Sequence, residues 1–463
     1  MAKAKSKKIT LERALVPLDE QPYEVPENWC WIKLGVISSI ISKGTTPKGG
    51  KSAYVDEGID FLRVENINDD GTICHDDMMH VTEETHTGFL KRSILEENDI
   101  LVSIAGTLGK TAIVKNDDLP LNTNQAVAFV RLKDNGEVSR EYIRYAIDTP
   151  VIQNMLLSKT KVTAIPNLTL EIISECLIPF PPPAEQQRIV EQIESLFAKL
   201  DMAREKAEFV ISCFEERMVA IIHKAFEGVL TRKWREANNV SCDSWKMVPL
   251  KNCGRWFGGG TPATSVGAYW EKGDIPWITS KDMKDRVIED SIMHITMAGV
   301  ENSSANYCDE PAVLFVMRSG ILRRVFPVCM VNRPFTVNQD LKACVPAMNQ
   351  DYLYWFCNGY EKDIRDKCMK SGTTVESVEA KKLMDYEVPV ASANEQTEVV
   401  KQIESLINKE ESVKELAKNV IEKIDAMKKL ILAKAFRGEL GTNASSEENS
   451  IELLKKMIEE GYD

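Results

Sequence analysis

Glu185-Gln186-Gln187-Arg188-Ile189-Val190-Glu191-Gln192-Ile193-Glu194-Ser195-Leu196 opens a run to Phe226 that contains neither glycine nor proline. Such a run is long for a globular helix. Apolar residues recur along it in alternating steps of four and three: Ile189, Ile193, Leu196, Leu200, Ala203, Ala207, Val210 and Phe214, then Arg217 and Ile221. That spacing is the heptad seam of a coiled coil. Displaced by 210 residues, the seam returns as Val399, Ile403, Leu406, Glu410, Val413, Ala417, Val420, Ile424, Met427 and Ile431. Each series has one residue that breaks its apolar character, Arg217 in the first and Glu410 in the second.

Identities repeat as well as pattern. Residues 395–406 match the opening stretch at eight of twelve positions, and Lys224-Ala225-Phe226-Glu227-Gly228-Val229-Leu230 returns at 434–440 with five of seven kept. Pro179 and Pro389 precede the two runs, and Gly228 and Gly438 follow them. A glycine just past the last turn takes the left-handed conformation that ends a helix. At ~1.5 Å per residue each helix is roughly 63 Å long. Each seam needs a partner, and the simplest partner for one helix is the other.

The chain has 463 residues, 43% of them hydrophobic and 28% charged, which fits a globular protein of two to four domains. It has no apolar run long enough to cross a membrane and no signal-peptide core. Its eleven cysteines, odd in number and without a Cys-x-x-Cys pair, read as reduced cytoplasmic thiols. The net charge of −12 argues against a uniform nucleic-acid surface. Charge is uneven, with 15 basic and 22 acidic side chains over residues 25–184 against 18 of each over 245–390, so a DNA surface is local or completed by a basic partner.

In order, residues 1–24 are a flexible lead-in whose Lys3, Lys5, Lys7 and Lys8 are solvated. Residues 25–184 form a globular unit with strand-like runs at 59–64, 99–104, 111–114 and 126–131 and a helical stretch over 140–157. Residues 185–236 are the central helix and its exit. Residues 237–394 repeat the first unit: Trp29 falls on Trp245, Gly44-Thr45 on Gly260-Thr261, Asn124-Gln125 on Asn338-Gln339 and Tyr142 on Tyr352. Residues 395–440 are the second long helix, and 441–463 a tail with a short amphipathic run from Ile451 to Ile458. The fold class is α+β: two tandem, pseudo-repeated globular domains separated and followed by long helices that pair as an antiparallel coiled coil. The units have diverged and the helices have not, which suggests a shared scaffold presenting two different ligand surfaces.

Candidate active sites fail one by one. Gly106-Thr107-Leu108-Gly109-Lys110-Thr111 ends like a phosphate-cradling loop, but Ile104 stands where its first glycine belongs. A glycine turn between strands is the better reading. Cys74, His75, His80 and His86 fit no metal spacing and do not recur in the second unit. Glu379-Ala380-Lys381 is a fragment of a nuclease triad with nothing to complete it. No nucleophile–base pairing repeats, so no catalytic or metal residue is assigned.

Polar turn tips remain, at matching places in both units. The first offers Lys43, Thr45, Thr46, Lys48, Arg63, Asn66, Thr107, Lys110, Asn124 and Gln125. The second offers Thr261, Ser280, Lys281, Arg318, Arg323, Arg324, Asn338, Gln339, Thr373 and Thr374. Arg and Lys suit guanine edges, Asn and Gln suit adenine edges, and hydroxyls serve phosphates and bases. Read singly, each is also an ordinary solvated loop residue.

Two variable units, each followed by a helix opening in Glu-Gln-x-x-Ile/Val-Val and ending in Lys-Ala-Phe-x-Gly-x-Leu, resemble the specificity subunit of type I restriction–modification systems. Pro-Glu-Asn-Trp-x-Trp at 26–31 and Ile-Ala-Gly-Thr-Leu-Gly-Lys at 104–110 add to the resemblance, which spans residues 25–440. Lys159-Thr160-Lys161 departs from it, lacking the glycine of Ser371-Gly372-Thr373. The resemblance implies two target-recognition domains, each reading part of a split asymmetric duplex DNA sequence. It implies helices that act as spacer and bind two modification (methyltransferase) subunits, and a motor/nuclease subunit that joins for cleavage. S-adenosylmethionine belongs to the modification subunits, and this chain carries no cofactor. The alternative is a coiled-coil adaptor that bridges proteins without touching DNA.

Overall fold

A computed structural model describes residues 10–133, 136–159, 167–241, 244–370 and 376–459. The chain divides into two compact units that do not follow sequence order. One combines the residues up to Lys206 with those from Val420 onward, and the other spans Ala207–Asn419. Each unit therefore holds one globular domain and a segment of both long helices.

Among the described residues the first unit forms nine strands: β1 (Cys30–Lys33), β2 (Ser38–Lys43), β3 (Ile59–Leu62), β4 (Met79–Val81), β5 (Ile100–Ser103), β6 (Thr111–Ile113), β7 (Leu121–Thr123), β8 (Val127–Leu132) and β9 (Leu177–Phe180). They make a four-stranded sheet in the order β2-β8-β5-β6, a three-stranded sheet β4-β3-β7, and the pair β1-β9. β5 is central and buried at every position, whereas β2 lies at an edge and is partly exposed, as expected where only one face of a strand is covered. Gly106 and Gly109, both at positive φ, turn the chain between β5 and β6. The expected helical stretch is two helices, Arg140–Ile147 and Pro150–Ser158, with Pro150 starting the second.

The second unit repeats this plan with β10 (Lys246–Pro249), β11 (Gly254–Gly258), β12 (Ile275–Ile278), β13 (His294–Ile295), β14 (Ala312–Val316), β15 (Val328–Val331), β16 (Thr336–Val337), β17 (Leu341–Pro346) and β18 (Glu387–Val390). Its sheets run β11-β17-β14-β15, β13-β12-β16 and β10-β18. Even the register is kept: Trp31 faces Pro179 in β1-β9, and Met247 faces Pro389 in β10-β18.

The first long helix runs Pro183–Ser212 and resumes as Phe214–Phe226; the second runs unbroken over Ala393–Ala435. Their repeated ends hold the domains. The buried Gln186 accepts from the Ser139 backbone N–H at 3.0 Å, and Gln396 from that of Asn349 at 2.9 Å. Ser139 and Asn349 are the N-caps of the helices carrying Tyr142 and Tyr352. Those tyrosines donate to the Pro179 and Pro389 carbonyls. Phe436 packs on Tyr142 with ring centroids 4.9 Å apart, and Phe226 on Tyr352 at 4.8 Å. Each domain is thus gripped by the start of one long helix and the end of the other, so the helices must run antiparallel. Within the first unit Arg204 meets Asp425 and Asp201 meets Lys428; within the second Arg217 meets Glu410. The two seam residues that broke the apolar pattern are each other's partners.

Arg217 does more than pair. Its Nε lies 2.6 Å from Glu410 Oε2, and its Nη2 donates to the Val210 carbonyl at 2.9 Å, across the interruption at Cys213. A polar pair in an apolar seam fixes register, because slippage would leave both groups unpartnered.

Ile189, Ile193, Phe214, Val399, Ile403 and Ile424 are buried and Leu196, Leu200, Val210 and Leu406 half-buried. Val413 and Val420, expected on the seam, are instead 43% and 42% exposed. A straight helix drifts ~20° per heptad relative to a strict seven-residue repeat, and here the buried line takes in Ile407, outside the seam, and keeps Ala417 and Ile424 of it. Residues 10–24, expected as a lead-in, are packed: the Val16 N–H donates to Trp31 O, Leu15 bridges Ile32, and Tyr23 packs edge-on against Trp31. Lys3, Lys5, Lys7 and Lys8 lie outside the described residues. The tail helix Ser450–Glu459 buries Leu453, Leu454 and Met457 in the first unit's core.

In a double-mutant cycle on Arg217→Ala and Glu410→Ala, urea unfolding is expected to show each single change destabilising, with a coupling of about 0.5–1 kcal/mol. A coupling of zero would remove the pair's role in register.

Candidate nucleic-acid interface

In the first unit the ends of β2, β3, β5 and β7 converge on one turn, Asn124–Ala126. Gly44 N–H donates to Val127 O at 3.0 Å and Thr45 N–H to Thr123 O at 3.1 Å; Asn124 N–H reaches Leu62 O at 3.3 Å, and Ile104 N–H reaches Ala126 O at 2.8 Å. The Asn124 side chain closes its own turn by accepting from the Ala126 N–H. A Cβ at Gly44 would sit 2.1 Å from Asn124 O, so only glycine lets the two tips meet.

The second unit builds the same cluster from different residues. Asn338 N–H donates to Ile278 O at 3.0 Å, Asn338 Oδ1 accepts from the Asp340 N–H at 3.1 Å, and Met317 N–H reaches Asp340 O at 2.7 Å. The Trp277 indole donates to Gly260 O at 2.9 Å, and Thr261 donates to Gln339. Strand order and shared backbone bonds therefore bring together Lys43, Thr45, Arg63, Asn124 and Gln125 in one unit, and Thr261, Ser280, Arg318, Asn338 and Gln339 in the other.

Position separates their roles. Asn66, 3% exposed, caps a turn by accepting from the Arg63 N–H, and Asn124 and Asn338 shape theirs. Arg63 pairs with Glu65, Arg318 with Asp340 and Arg323 with Glu376, all within 2.9 Å. Lys43, Thr46, Lys48, Gln125, Lys281, Arg324 and Gln339 are exposed, and Thr45 and Ser280 half-buried. Thr107 and Lys110 line a cleft of about 770 Å³ with Asp69, Asp70, Glu194 and Asp201, and Lys110 is held by Asp69 at 2.8 Å and by Ile67 O. That acidic setting is less favourable to phosphate than the open tips. Thr160, Lys161, Thr373 and Thr374 fall outside the described residues. Sequence reading passed over two further segments beside these tips, 88–93 and 302–307, because they share no motif.

The histidine cluster is a clamp. His75 lies between Asp60, 2.8 Å from Nδ1, and Asp118, 2.9 Å from Nε2, while His80 also meets Asp60. Hydrogen bonding to Asp118 first, with Asp60 adding, raises the His75 pKa against the effect of burial. His86 is buried beside Asn122, and its pKa is lowered by burial.

Residues 26–208 and 243–423 each match the model of the type I restriction modification DNA specificity domain. The chain belongs to that family. Relatives include the EcoR124I/EcoR124II specificity subunit of Escherichia coli, 37% identical over 158 residues, covering 34% of this chain and 39% of that one. The matches to this subunit and to the E. coli EcoBI specificity subunit span less than half of either relative. The EcoKI specificity subunit of E. coli K12 is 21% identical over 463 residues, covering 94% and 96% of the two chains. The crystal structure of the HsdS subunit from Thermoanaerobacter tengcongensis shares the fold with a TM-score of 0.60 at 18% identity, covering 91% of this chain and all of that one. A chain from a structural study of assembly and conformational transition in a type I R-M system gives 0.64 at 19% identity, covering 90% and 100%. This specificity-family chain thus carries its two domain copies on the two units.

The folded-state pKa of His75 lies above the ordinary value near 6.5. The clamp's contribution to stability is then full below pH ~6.5 and is lost as pH rises through the folded value. Urea midpoints of the native chain should fall across that range, and His75→Gln should flatten the fall. An unchanged slope in the variant would show that the clamp does not titrate.

Proposed function

We propose that this chain is the DNA sequence-recognition subunit of a type I restriction–modification complex, reading a split asymmetric target with two domains and itself doing no catalysis. The observation that carries the reading is the tip cluster: the backbone bonds of Asn124 to Leu62 and Ile104 to Ala126 recur as Asn338 to Ile278 and Met317 to Asp340, and around the shared Gly-Thr and Asn-Gln the exposed side chains differ between copies. Like frames with different polar faces suit one duplex read at two sequences. The family model describes a DNA specificity domain. Helix length and register would then set the undefined spacer between the two defined runs.

The helices also offer a docking surface. Val413, Leu416, Val420, Met427 and Leu430 follow heptad spacing on the second long helix, and each is more than two-fifths exposed. Monomeric proteins seldom leave such a stripe uncovered. It suits an apolar helix face on each of two modification subunits, which would carry S-adenosylmethionine and supply much of the phosphate contact that this acidic chain lacks. A motor/nuclease subunit would join the assembly for cleavage. Among the described residues no helix is long and apolar enough to cross a membrane, and a cytoplasmic complex follows from the reading.

Methylation mapping of cells carrying this chain with its modification subunit, against deletion of this chain alone, tests recognition. A split motif that vanishes on deletion is expected; a motif indifferent to deletion would favour the adaptor, which uses the same stripe without DNA. Leu416→Glu with Leu430→Glu should abolish co-purification of the modification subunit while leaving the circular dichroism of the chain unchanged. Retained association would place the docking surface elsewhere.

A further inference from the structure

The two segments without a shared motif occupy the same place in both units, along the outer edge of the small sheet. In the first, Gly88–Ser93 precedes Ile94, which bridges Asn122 of β7, and Asn122 Nδ2 reaches Leu90 O at 3.3 Å. In the second, Asn302–Tyr307 precedes Cys308, which exchanges both backbone bonds with Phe335 at the start of β16. β7 and β16 are the strands that run out into Asn124-Gln125 and Asn338-Gln339. Each segment also touches a tip residue from the other side. The Lys48 ammonium lies 5.3 Å over the Phe89 ring. Asn306 Nδ2 donates to Gly258 O, and a Cβ on Gly260 would fall 1.9 Å from Ser304 Oγ.

Their chemistry is exposed, and the cations of the first are uncompensated. Phe89 is 48% exposed, and Lys91 and Arg92 are exposed and have no carboxylate partner among the described residues. Arg63, Lys110, Arg318 and Arg323 each have one. An arginine already engaged must give up a carboxylate before it can bind DNA, whereas Arg92 presents its planar fork at no such cost. The second segment offers an exposed amide in Asn306 and an aromatic face in Tyr307, 40% exposed, where the first offers a ring and two cations. A position fixed by the frame and changed in chemistry is what two different half-sites require.

We propose that Gly88–Ser93 and Asn302–Tyr307 are additional target-reading segments, with Arg92 and Asn306 contacting base edges, Lys91 a phosphate, and Phe89 and Tyr307 lying against the groove. This rests on the recognition reading above. Arginine suits a guanine edge and asparagine an adenine edge.

The test uses the chain in complex with its modification subunit, reading methylation motifs in cells and duplex affinity in solution. Arg92→Ala should relax the motif at one position of one half-site and weaken duplex binding on the order of 10-fold. Arg92→Lys keeps the charge and loses the fork, so it should relax the motif with the salt dependence retained. Lys91→Ala should reduce the slope of log affinity against log salt by about 1 without altering the motif. Asn306→Ala should change the other half-site only. If Arg92 and Asn306 variants keep the native motif and affinity while Gln125→Ala changes the motif, this proposal is overturned and the recognition reading stands. If no motif depends on the chain at all, both fall.

Discussion

The buried Glu-Gln pair at the start of each long helix holds the rest in place. Gln186 and Gln396 close the N-cap of a domain helix and also donate to the carbonyls of Pro181 and Ala391. Beside them Glu185 and Glu395 are fully buried carboxylates, each partnered at one oxygen among the described residues. Glu185 accepts from the Trp29 indole at 2.8 Å and from Asn443 at 2.9 Å. Glu395 accepts from Thr231 and from the buried Arg235. The donors differ because the chain enters the two sites differently. In the first, the partner segment is the tail beyond Gly438; in the second, it is the exit beyond Gly228. The indole of Trp245, the counterpart of Trp29, has no hydrogen-bond partner among the described residues, and neither has Oε2 of Glu395, since Thr231 and Arg235 both reach Oε1.

This arrangement separates holding from reading. The groups that recur in identity, Glu-Gln, Lys-Ala-Phe and the tyrosine between them, bury themselves between domain and helix. The groups that vary sit on tips around a shared Gly-Thr and Asn-Gln, whose glycine and asparagine shape the turns. A tip residue outside those turn-shaping positions can therefore change without loosening the frame. That is the condition under which one scaffold carries different polar faces.

The sequence made the duplication, the starts of both long helices and the place of the tips legible, but not the break at Cys213 or the end of the second helix at Ala435 rather than 440. The legible features depend on local signals: heptad spacing, glycine and proline punctuation, and identities at a constant shift. It did not separate tip residues that face outward from those that shape the turn. Asn66, Asn124 and Asn338 carry the right chemistry for adenine, yet their side chains accept backbone N–H groups of their own turns. Nor did it expose Gly88–Ser93 and Asn302–Tyr307, since their relevance lies in which strand they border.

By itself, then, the sequence determined that there are two like units and two helices that pair, because apolar periodicity and repeated identity are local properties of a chain. The tertiary structure decided how they are shared out. It showed that each domain is held by the start of one helix and the end of the other. It paired Arg217 with Glu410 across the seam, and it moved the buried line off Val413 and Val420. Those outcomes depend on helix drift, on packing and on which buried carboxylate finds which donor, and none of these is set by spacing along the chain.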